Sequence, residues 1–525
     1  MDLPTEVAKM KQIRGMMRVV FGRTTFGIVA LIAQIAIFLA AYRFLNRYIT
    51  YFYGAFTLLS ALIIIYILNK EENPAFKLSW MIPIAAFPVF GMFFYLFVQF
   101  QIIGKLIDKK LKVNREKTEP YLSQSPRVME RLSGISVHNA NLARFVKNTS
   151  HYPAYGNTNA SYFPVGEVMF EAMKRELEQA ERFIFLEFFI IERGEMWNEI
   201  LEILERKVKE GVEVRLLYDG MCSITLLPHG YTGELKEKGI HAKEFSPVKP
   251  ALTTYQNNRD HRKIVVVDGH TAFTGGMNLA DEYINRKVRF GHWKDTGIML
   301  KGDAAVSFTM MFLEMWNISE KEPDDYSRYL RDPEYFYPLE LNMDGFAVPY
   351  ADNPLDGENV GEQVYLNIIH SATRYVHIMT PYLILDYGMV KALTFAAKRG
   401  VETVIIMPGI PDKRYAFLLA RSHYRELIRA GVHIYEYMPG FVHAKVFSSD
   451  NTKAVVGTIN MDFRSLYLHF ECAVYLYCNE VVKDIERDFQ NTLACCRKID
   501  EDIISRFPWY ERFAGRALRL FAPLM

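Results

Sequence analysis

One pattern of residues that could do chemistry occurs twice in this chain of 525 residues. In each copy a His is followed two residues later by a Lys and, five residues after that, by an Asp. A single His-x-Lys pair is weak, since His241 and Lys243 form one that has Val248 where the Asp would stand. Two complete copies predict one site built from both. The copies are His261, Lys263 and Asp268, then His443, Lys445 and Asp450.

An Asn follows each copy at the same spacing, 17 residues after the His, as Asn278 and Asn460. Alternation along a strand puts the His and the Lys on one face, and the spacing allows a return strand that brings the Asn beside them. One His–Lys–Asn set from each copy, facing the other across a pseudo-twofold, would surround a single phosphate. We expect both Asn residues, with Gly276 and Thr458 just before them, to bind the substrate.

These residue types suit the cleavage of a phosphodiester. Lys and Asn donors neutralise the phosphate oxygens without a metal ion. A neutral imidazole can attack phosphorus near pH 7, and a protonated one can give its proton to the leaving alkoxide. No further His or Cys stands at ligand spacing, so we predict neither a metal nor a cofactor.

Carboxylates are needed to hold the second ring nitrogen of each His, and two candidates lie just beyond the Asn residues: Asp295 and Glu471. Asp268 and Asp450 are placed differently, at the end of the strand that carries each motif. For this second pair a structural role is the alternative to a catalytic one.

The elements around the motifs repeat as well. A continuous apolar run at 183–191 reads as a buried strand, and a helical pattern follows at 197–210. The same order returns at 375–384 and 389–399. We therefore predict an α/β fold of two duplicated domains, 151–330 and 331–525, after a basic linker at 105–150.

The N-terminal part predicts a membrane region. Apolar segments at 25–42, 49–68 and 78–100 each approach the roughly 20 residues that cross a bilayer as a helix. Residues 1–104 are thus expected to contain two to three transmembrane helices. Because the flank after residue 104 is rich in Lys, the positive-inside rule favours cytoplasmic catalytic domains on a multi-pass cell-membrane protein.

Composition limits the other partners. The formal net charge is +2, and residues 155–500 contain no basic stripe interleaved with aromatics, so no nucleic acid is expected. Five cysteines, an odd number without metal spacing, predict reduced thiols.

At the C-terminus, aromatic and Arg residues segregate onto two faces of an amphipathic helix. This helix suits an anionic lipid surface or, equally, packing on the second domain.

The chain resembles the phospholipase D superfamily and, within it, the bacterial cardiolipin synthases, from about residue 155 to the C-terminus. The motifs that carry the resemblance are N-R-D-H-R-K-I-V-V-V-D-G, G-G-M-N-L-A-D-E-Y, W-K-D-T, G-F-V-H-A-K and N-M-D-F-R-S. Two positions depart from the family: Thr458 replaces the usual Ser, and His469 replaces the usual Asn.

The resemblance implies a phosphatidyl transfer in two steps. His261 would attack one phosphatidylglycerol and form a phosphohistidine, and His443 would protonate the departing glycerol. His443 would then activate a second phosphatidylglycerol to give cardiolipin in an anionic membrane. A hydrolytic phospholipase D, a membrane-tethered nuclease and a silent scaffold are the alternatives; the two intact His–Lys pairs argue against the last.

Overall fold

The computed structural model describes residues 29, 32–37, 39–40, 49–99, 102–247, 257–330 and 345–524. They fall into two compact units, one of residues 1–105, 248–257 and 520–525 and the other of 106–247 and 258–519. The apolar segment predicted at 25–42 lies largely outside the described residues.

Among the described residues, the smaller unit includes the helices α1 Ile49–Leu68, α2 Pro74–Ala86 and α3 Pro88–Gln99. At 20 residues, α1 is about 30 Å long. Within it, 50–68 is the one stretch of the described chain that is both long and apolar enough to cross a membrane. The prediction of a single helix over 78–100 is wrong, because the chain breaks at Phe87 and Pro88 starts a new helix.

Residues 105–150, predicted to be a linker, are folded. They form α4 Ile102–Thr118, α5 Pro126–Ile135 and α6 Val137–Ser150. The apolar faces of α5 and α6 bury Leu132 and Val146 in the core of the second repeat. Basic residues in this region occupy the exposed faces, which explains why the sequence resembles a linker.

The first repeat supplies the elements that carry the first motif. It consists of β1 Thr158–Phe163, α7 Gly166–Glu178, β2 Phe183–Phe188, α8 Glu195–Lys209, β3 Glu213–Asp219, α9 Cys222–Thr225, α10 Tyr231–Glu237, β4 His241–Phe245, β5 Ile264–Val267, β6 Thr271–Gly275, β7 His292–Lys294, β8 Gly297–Gly302 and α11 Ala305–Trp316. Every residue of β2 is buried, as its continuous apolar run predicts.

The second repeat supplies the corresponding elements for the second motif. It consists of β9 Phe346–Asp352, α12 Val360–Ser371, β10 Tyr375–Met379, α13 Tyr387–Lys398, β11 Glu402–Pro408, α14 Arg414–Arg429, β12 His433–Tyr437, β13 Gly440–Val442, β14 Val446–Ser449, β15 Lys453–Gly457, α15 Phe463–Tyr467, β16 Glu471–Tyr477, α16 Val481–Leu493, β17 Cys496–Ile499, α17 Glu501–Ser505 and α18 Trp509–Leu518.

The two large sheets have the same topology. Their strand orders are β1-β8-β6-β5-β2-β3-β4 and β9-β16-β15-β14-β10-β11-β12, the second extended by β17. In both, the first five strands pair antiparallel and the next two join in parallel, with β17 antiparallel at the edge. The predicted duplication is confirmed. Both repeats belong to the larger unit.

Candidate active site

Each motif His is anchored by the chain of the other repeat. The backbone N–H of His261 donates to the carbonyl of Phe470 over 2.9 Å, and that of His443 donates to the carbonyl of Lys294 over 2.7 Å. The short parallel pair of β7 and β13 leads the chain to the second contact. The two motifs therefore meet at the junction of the repeats, and both His side chains are buried there.

The carboxylates are exchanged between the repeats. Glu471 of the second repeat lies 2.8 Å from Nδ1 of His261, and Asp295 of the first lies 2.7 Å from Nδ1 of His443. A carboxylate oxygen accepts a proton donor, so each contact places the proton of a neutral imidazole on Nδ1 and leaves the Nε2 lone pair free. We call His261, Lys263 and Glu471 the His261 half-site, and His443, Lys445 and Asp295 the His443 half-site.

Burial and neighbouring ammonium groups keep both imidazoles neutral. Burial, together with Lys445, lowers the pKa of His443 to about 4, although Asp295 opposes the shift. Burial and Lys263 likewise lower the pKa of His261 well below its ordinary value. Near pH 7 each ring can therefore act as a nucleophile or a base through Nε2.

The two motif lysines form the cationic part of the site. Each ammonium donates to the backbone carbonyl of its own motif His, His261 or His443. Burial lowers the pKa of Lys263 to about 8 and that of Lys445 to about 7. A protonated Lys has three donors, so two protons on each remain for the oxygens of an anion.

The two predicted Asn residues are placed unequally. The side-chain oxygen of Asn278 accepts from the backbone N–H of Ile190 over 2.9 Å, and its amide donates to the hydroxyl of Tyr283 over 2.8 Å. The side-chain oxygen of Asn460 is buried without a hydrogen-bond partner among the described residues. Asn460 thus keeps more hydrogen-bonding capacity for a ligand than Asn278.

Gly276 and Thr458, predicted to bind substrate, instead support the carboxylates. Their backbone N–H groups are already bonded, to the carbonyls of Thr296 and Cys472. A Cβ at Gly276 would lie 2.0 Å from Oδ1 of Asp295, so glycine makes room for that carboxylate. The Thr458 hydroxyl donates to Glu471. Their contacts indicate a supporting role, and substrate binding by these two residues stays a prediction.

The backbone contacts of Asp268 and Asp450 favour the structural alternative. The carboxylate of Asp268 accepts three backbone N–H groups, from residues 181–183, and that of Asp450 accepts three from residues 373–375. Both have positive φ, 51° and 56°, where each strand ends in a turn. Seven residues of extended chain, roughly 23 Å, separate each Asp from its His, so a catalytic role for these carboxylates is not supported.

Aromatic rings enclose both imidazoles, and of these the sequence singled out only His469, without a role. Phe189 and His469 lie 5.0 and 5.5 Å from His261 between ring centroids. Trp293 and Tyr283 lie 5.4 and 5.5 Å from His443. The available signal was position, since His469 and Trp293 each stand two residues before a tethering carboxylate.

One group of side chains has the composition of a metal site. Ligand atoms of His261, His469 and Glu471 lie within 4.8 Å of one another, so a third His does accompany the motif despite the sequence prediction. Glu471 already holds His261 and the Thr458 hydroxyl. Two ammonium groups beside these ligands oppose a divalent cation, and the composition of the pocket favours an anion.

Comparison with known proteins gives this geometry a family. A family model described as "Cardiolipin synthase, PLD-like domain" matches residues 173–302 and 365–493, one match in each repeat. A cardiolipin synthase of Halalkalibacterium halodurans is 34% identical over 90% of this chain and 94% of its own length. The chain belongs to the cardiolipin synthase family.

Three further similarities concern most of the chain, its N-terminal part and its fold. An uncharacterized protein of Streptococcus mutans is 46% identical over 88% of this chain and 99% of its own length. A model described as "Phospholipase D-nuclease N-terminal" matches residues 58–99. The crystal structure of a phosphatidylserine synthase from Haemophilus influenzae shares the fold, with a TM-score of 0.53, 13% identity and coverage of 73% of this chain and 97% of that one.

Proposed function

We propose that this protein is a membrane-bound cardiolipin synthase. It transfers a phosphatidyl group from one phosphatidylglycerol to another and releases glycerol. One observation carries the proposal beyond family membership: two buried imidazoles, each tethered at Nδ1 by a carboxylate of the other repeat, lie with two buried lysines at one junction.

The proposed first step forms a covalent intermediate. Nε2 of His261 attacks phosphorus, and the bond from phosphorus to the headgroup glycerol oxygen breaks. His443, protonated once the phosphodiester anion is bound beside it, gives its Nε2 proton to that oxygen. Lys263 and Lys445 hold the phosphoryl oxygens, and Asn460 adds a polar contact.

The second step reverses the roles of proton donor and acceptor. Nε2 of His443 takes the proton from the terminal hydroxyl of the second phosphatidylglycerol. The resulting oxygen attacks phosphorus, the bond from phosphorus to His261 breaks, and cardiolipin leaves. His443 ends protonated and His261 ends neutral, so the site is ready for another cycle.

The membrane placement completes the proposal. Helix α1 spans the bilayer, and the protein is multi-pass, with both repeats in the cytoplasm beside an anionic leaflet. Apolar side chains exposed along α1, among them Tyr51 and Leu58, support this placement. The Lys-rich sequence after residue 104 supports the cytoplasmic orientation.

Helix α18 adds a lipid-contacting surface. One face of α18 packs closely on α14. At Gly515 a Cβ would lie only 2.5 Å from the carbonyl oxygen of Leu418, so this close approach requires glycine. Its other face exposes Trp509, Tyr510 and Phe513, at 72%, 54% and 69%. Three large aromatics on one exposed face, with Arg512 and Arg516 also exposed, match an anionic membrane interface.

Product analysis tests the proposed activity. Purified full-length protein is given phosphatidylglycerol in detergent, and lipids and free glycerol are quantified. Cardiolipin and glycerol in equal amounts are expected. Phosphatidic acid without cardiolipin would instead assign a hydrolytic phospholipase D, in which water replaces the second lipid.

Trapping the intermediate tests the roles of the two imidazoles. Phosphatidylglycerol labelled with ³²P is mixed with His261→Ala or His443→Ala protein and quenched in alkali. We expect a loss of turnover of about 10⁴-fold in both variants, with labelled protein only in His443→Ala. Label retained in His261→Ala but absent from His443→Ala would exchange the two roles.

The lipid contact of α18 can be read from its Trp. Full-length protein is placed in nanodiscs that contain brominated phosphatidylglycerol, and fluorescence quenching is compared with that of Trp509→Phe. Quenching that is largely lost in the variant is expected. Equal quenching in the two proteins would show that this face does not reach lipid.

A further inference from the structure

His469 has no assigned role, yet it lies inside the pocket. It stands two residues before Glu471, is 7% exposed, and neither of its ring nitrogens has a hydrogen-bond partner among the described residues. Its ring centroid is 5.5 Å from that of His261. A buried polar group without a partner is destabilising, so His469 without a ligand is unfavourable at this position.

In the His443 half-site, the residue that corresponds to His469 is Trp293, which packs among aromatic rings. Trp293 stands two residues before Asp295 and lies 5.4 Å from His443. The residue between each pair, Lys294 or Phe470, gives its carbonyl to the motif His. The two rings therefore occupy equivalent positions of the duplicated backbone.

The surroundings of the two rings differ. Three aromatic rings, those of Tyr283, Phe290 and Phe441, pack around the indole of Trp293, whose single N–H is likewise unpaired. The aromatic neighbours of His469 are His261 and Phe189. Burial, followed by the charges of Arg464, Lys263 and Arg259, keeps the pKa of His469 low. The Glu471 carboxylate lies 3.9 Å from its Nδ1, beyond hydrogen-bond distance. A neutral ring in a cationic pocket offers one N–H to an anion.

We propose that His469 is a substrate-contacting residue, one ring N–H of which donates to a phosphoryl oxygen of the lipid held at His261. The inference rests on the proposed function and adds a fourth polar group to Lys263, Lys445 and Asn460, present on one side of the phosphate only. The side chain would stabilise the phosphodiester and then the phosphohistidine on His261. On this side of the phosphate, Lys263 is another side chain with a free donor. Asn278 and Thr458 are already hydrogen-bonded to protein groups.

Three substitutions separate this contact from simple packing. His469→Ala removes the ring, His469→Phe keeps an aromatic ring without nitrogen, and His469→Asn restores an N–H donor. We expect kcat/KM to fall about 10-fold or more in the first two variants, because a hydrogen bond to a charged group is lost. His469→Asn should stay within about threefold of the wild type.

The control is another buried histidine. His423 on α14 is 5% exposed and its Nδ1 is also unpaired among the described residues. His423→Ala should lower the midpoint of thermal inactivation without changing kcat/KM of the folded protein. All variants are compared at equal folded fraction, so a packing defect alone cannot imitate the expected pattern.

A second readout does not depend on turnover. Binding of inorganic phosphate to the full-length protein is followed by ³¹P NMR titration. We expect Kd to rise about 10-fold in His469→Ala and His469→Phe but not in His469→Asn. Unchanged phosphate binding in the Ala and Phe variants, or an Asn variant as weak as Ala, overturns the inference. A wild type that binds phosphate but makes no cardiolipin would refute the proposed function and leave the contact standing.

Discussion

The His261 and His443 half-sites share a backbone and differ in the side chains that support it. In each, a motif His receives a backbone carbonyl and a carboxylate from the other repeat. Around His261, however, the carboxylate is Glu471, held by the Thr458 hydroxyl. Around His443 it is the shorter Asp295, which needs Gly276 for space. Duplication conserved the geometry of the two imidazoles, and substitution made their surroundings different.

This difference explains how a symmetric framework can run an asymmetric reaction. One His must bond to phosphorus while the other moves a proton, although each has a carboxylate tether and a neighbouring motif Lys. Burial and the Lys keep each ring neutral, and the tether at Nδ1 leaves Nε2 free. The aromatic and polar groups beside the rings, His469 and Trp293, are where the two half-sites diverge.

The largest effect is expected from the tethers. Glu471→Gln and Asp295→Asn offer an amide that can donate to Nδ1 and place the imidazole proton on Nε2. Turnover of phosphatidylglycerol should fall about 10²–10⁴-fold in both. A phosphatidyl ester of p-nitrophenol, whose leaving group needs no proton, distinguishes them in a stopped-flow burst.

With that ester we expect Asp295→Asn to recover a rapid burst of nitrophenol, because only proton donation was impaired. Glu471→Gln should show no burst, since the nucleophile itself is blocked. Equal bursts in the two variants would mean that the half-sites are functionally interchangeable. The wild-type protein provides the reference amplitude.

The second comparison concerns stability and uses the motif Asp residues. Asp268 accepts three backbone N–H groups, and Asp450 accepts three plus the hydroxyl of Thr373. Replacement by Ala should lower the free energy of unfolding by about 2–4 kcal/mol, more for Asp450, through unsatisfied donors. Thermal inactivation in detergent measures this.

Activity separates the structural role of these residues from a catalytic one. Each Ala variant should keep kcat within about threefold per folded molecule, because neither carboxylate reaches the imidazoles. The Asn variants, which tolerate positive φ, serve as matched controls and should be less destabilised. A folded Asp268→Ala protein with kcat reduced 100-fold or more would return Asp268 to the catalytic set.

The sequence revealed the two motifs, the duplication and the tethering carboxylates, because each depends on spacing along a strand. It did not reveal that Asp295 and Glu471 serve the opposite repeat, since exchange between repeats is a property of the tertiary junction. The contacts of Gly276 with Asp295 and of Thr458 with Glu471 could not be predicted for the same reason. Residues 105–150 were misinterpreted as a linker because many of their basic residues are Lys side chains on the exposed surface of α4. The break at Phe87 was hidden by an unbroken apolar composition.

The two lysines should titrate at different pH. Burial lowers the pKa of Lys445 to about 7 and that of Lys263 to about 8, both below the ordinary 10.5. As pH rises through these values the free enzyme loses its positive charges, so kcat/KM should fall about 10-fold per unit between pH 7 and 8 and more steeply, towards 100-fold per unit, above pH 8. Bound phosphodiester favours the ammonium form, and kcat should fall only at higher pH.

Arginine substitution assigns the alkaline limb to one half-site. Lys445→Arg keeps its charge at every accessible pH, and although the longer side chain lowers activity, the fall in kcat/KM should begin near pH 8 instead of 7. Lys263→Arg should leave the onset near 7. An onset that moves equally in both variants would show that the lysines titrate as one coupled pair.

The smallest effect is expected where the His261 half-site is made to resemble its counterpart. Thr458→Gly copies Gly276 and removes the hydroxyl that donates to Glu471, yet leaves both contacts of that carboxylate with His261 intact. Loss of this bond, and of the bond that the hydroxyl accepts from the backbone N–H of Cys472, predicts a fall in kcat/KM of about tenfold, and Thr458→Ser should restore it to within about twofold. The reciprocal Gly276→Thr should be far more damaging, because its Cβ would displace Asp295. Equal losses in Thr458→Gly and Gly276→Thr would mean that the Thr458 hydroxyl is as necessary to Glu471 as open space is to Asp295.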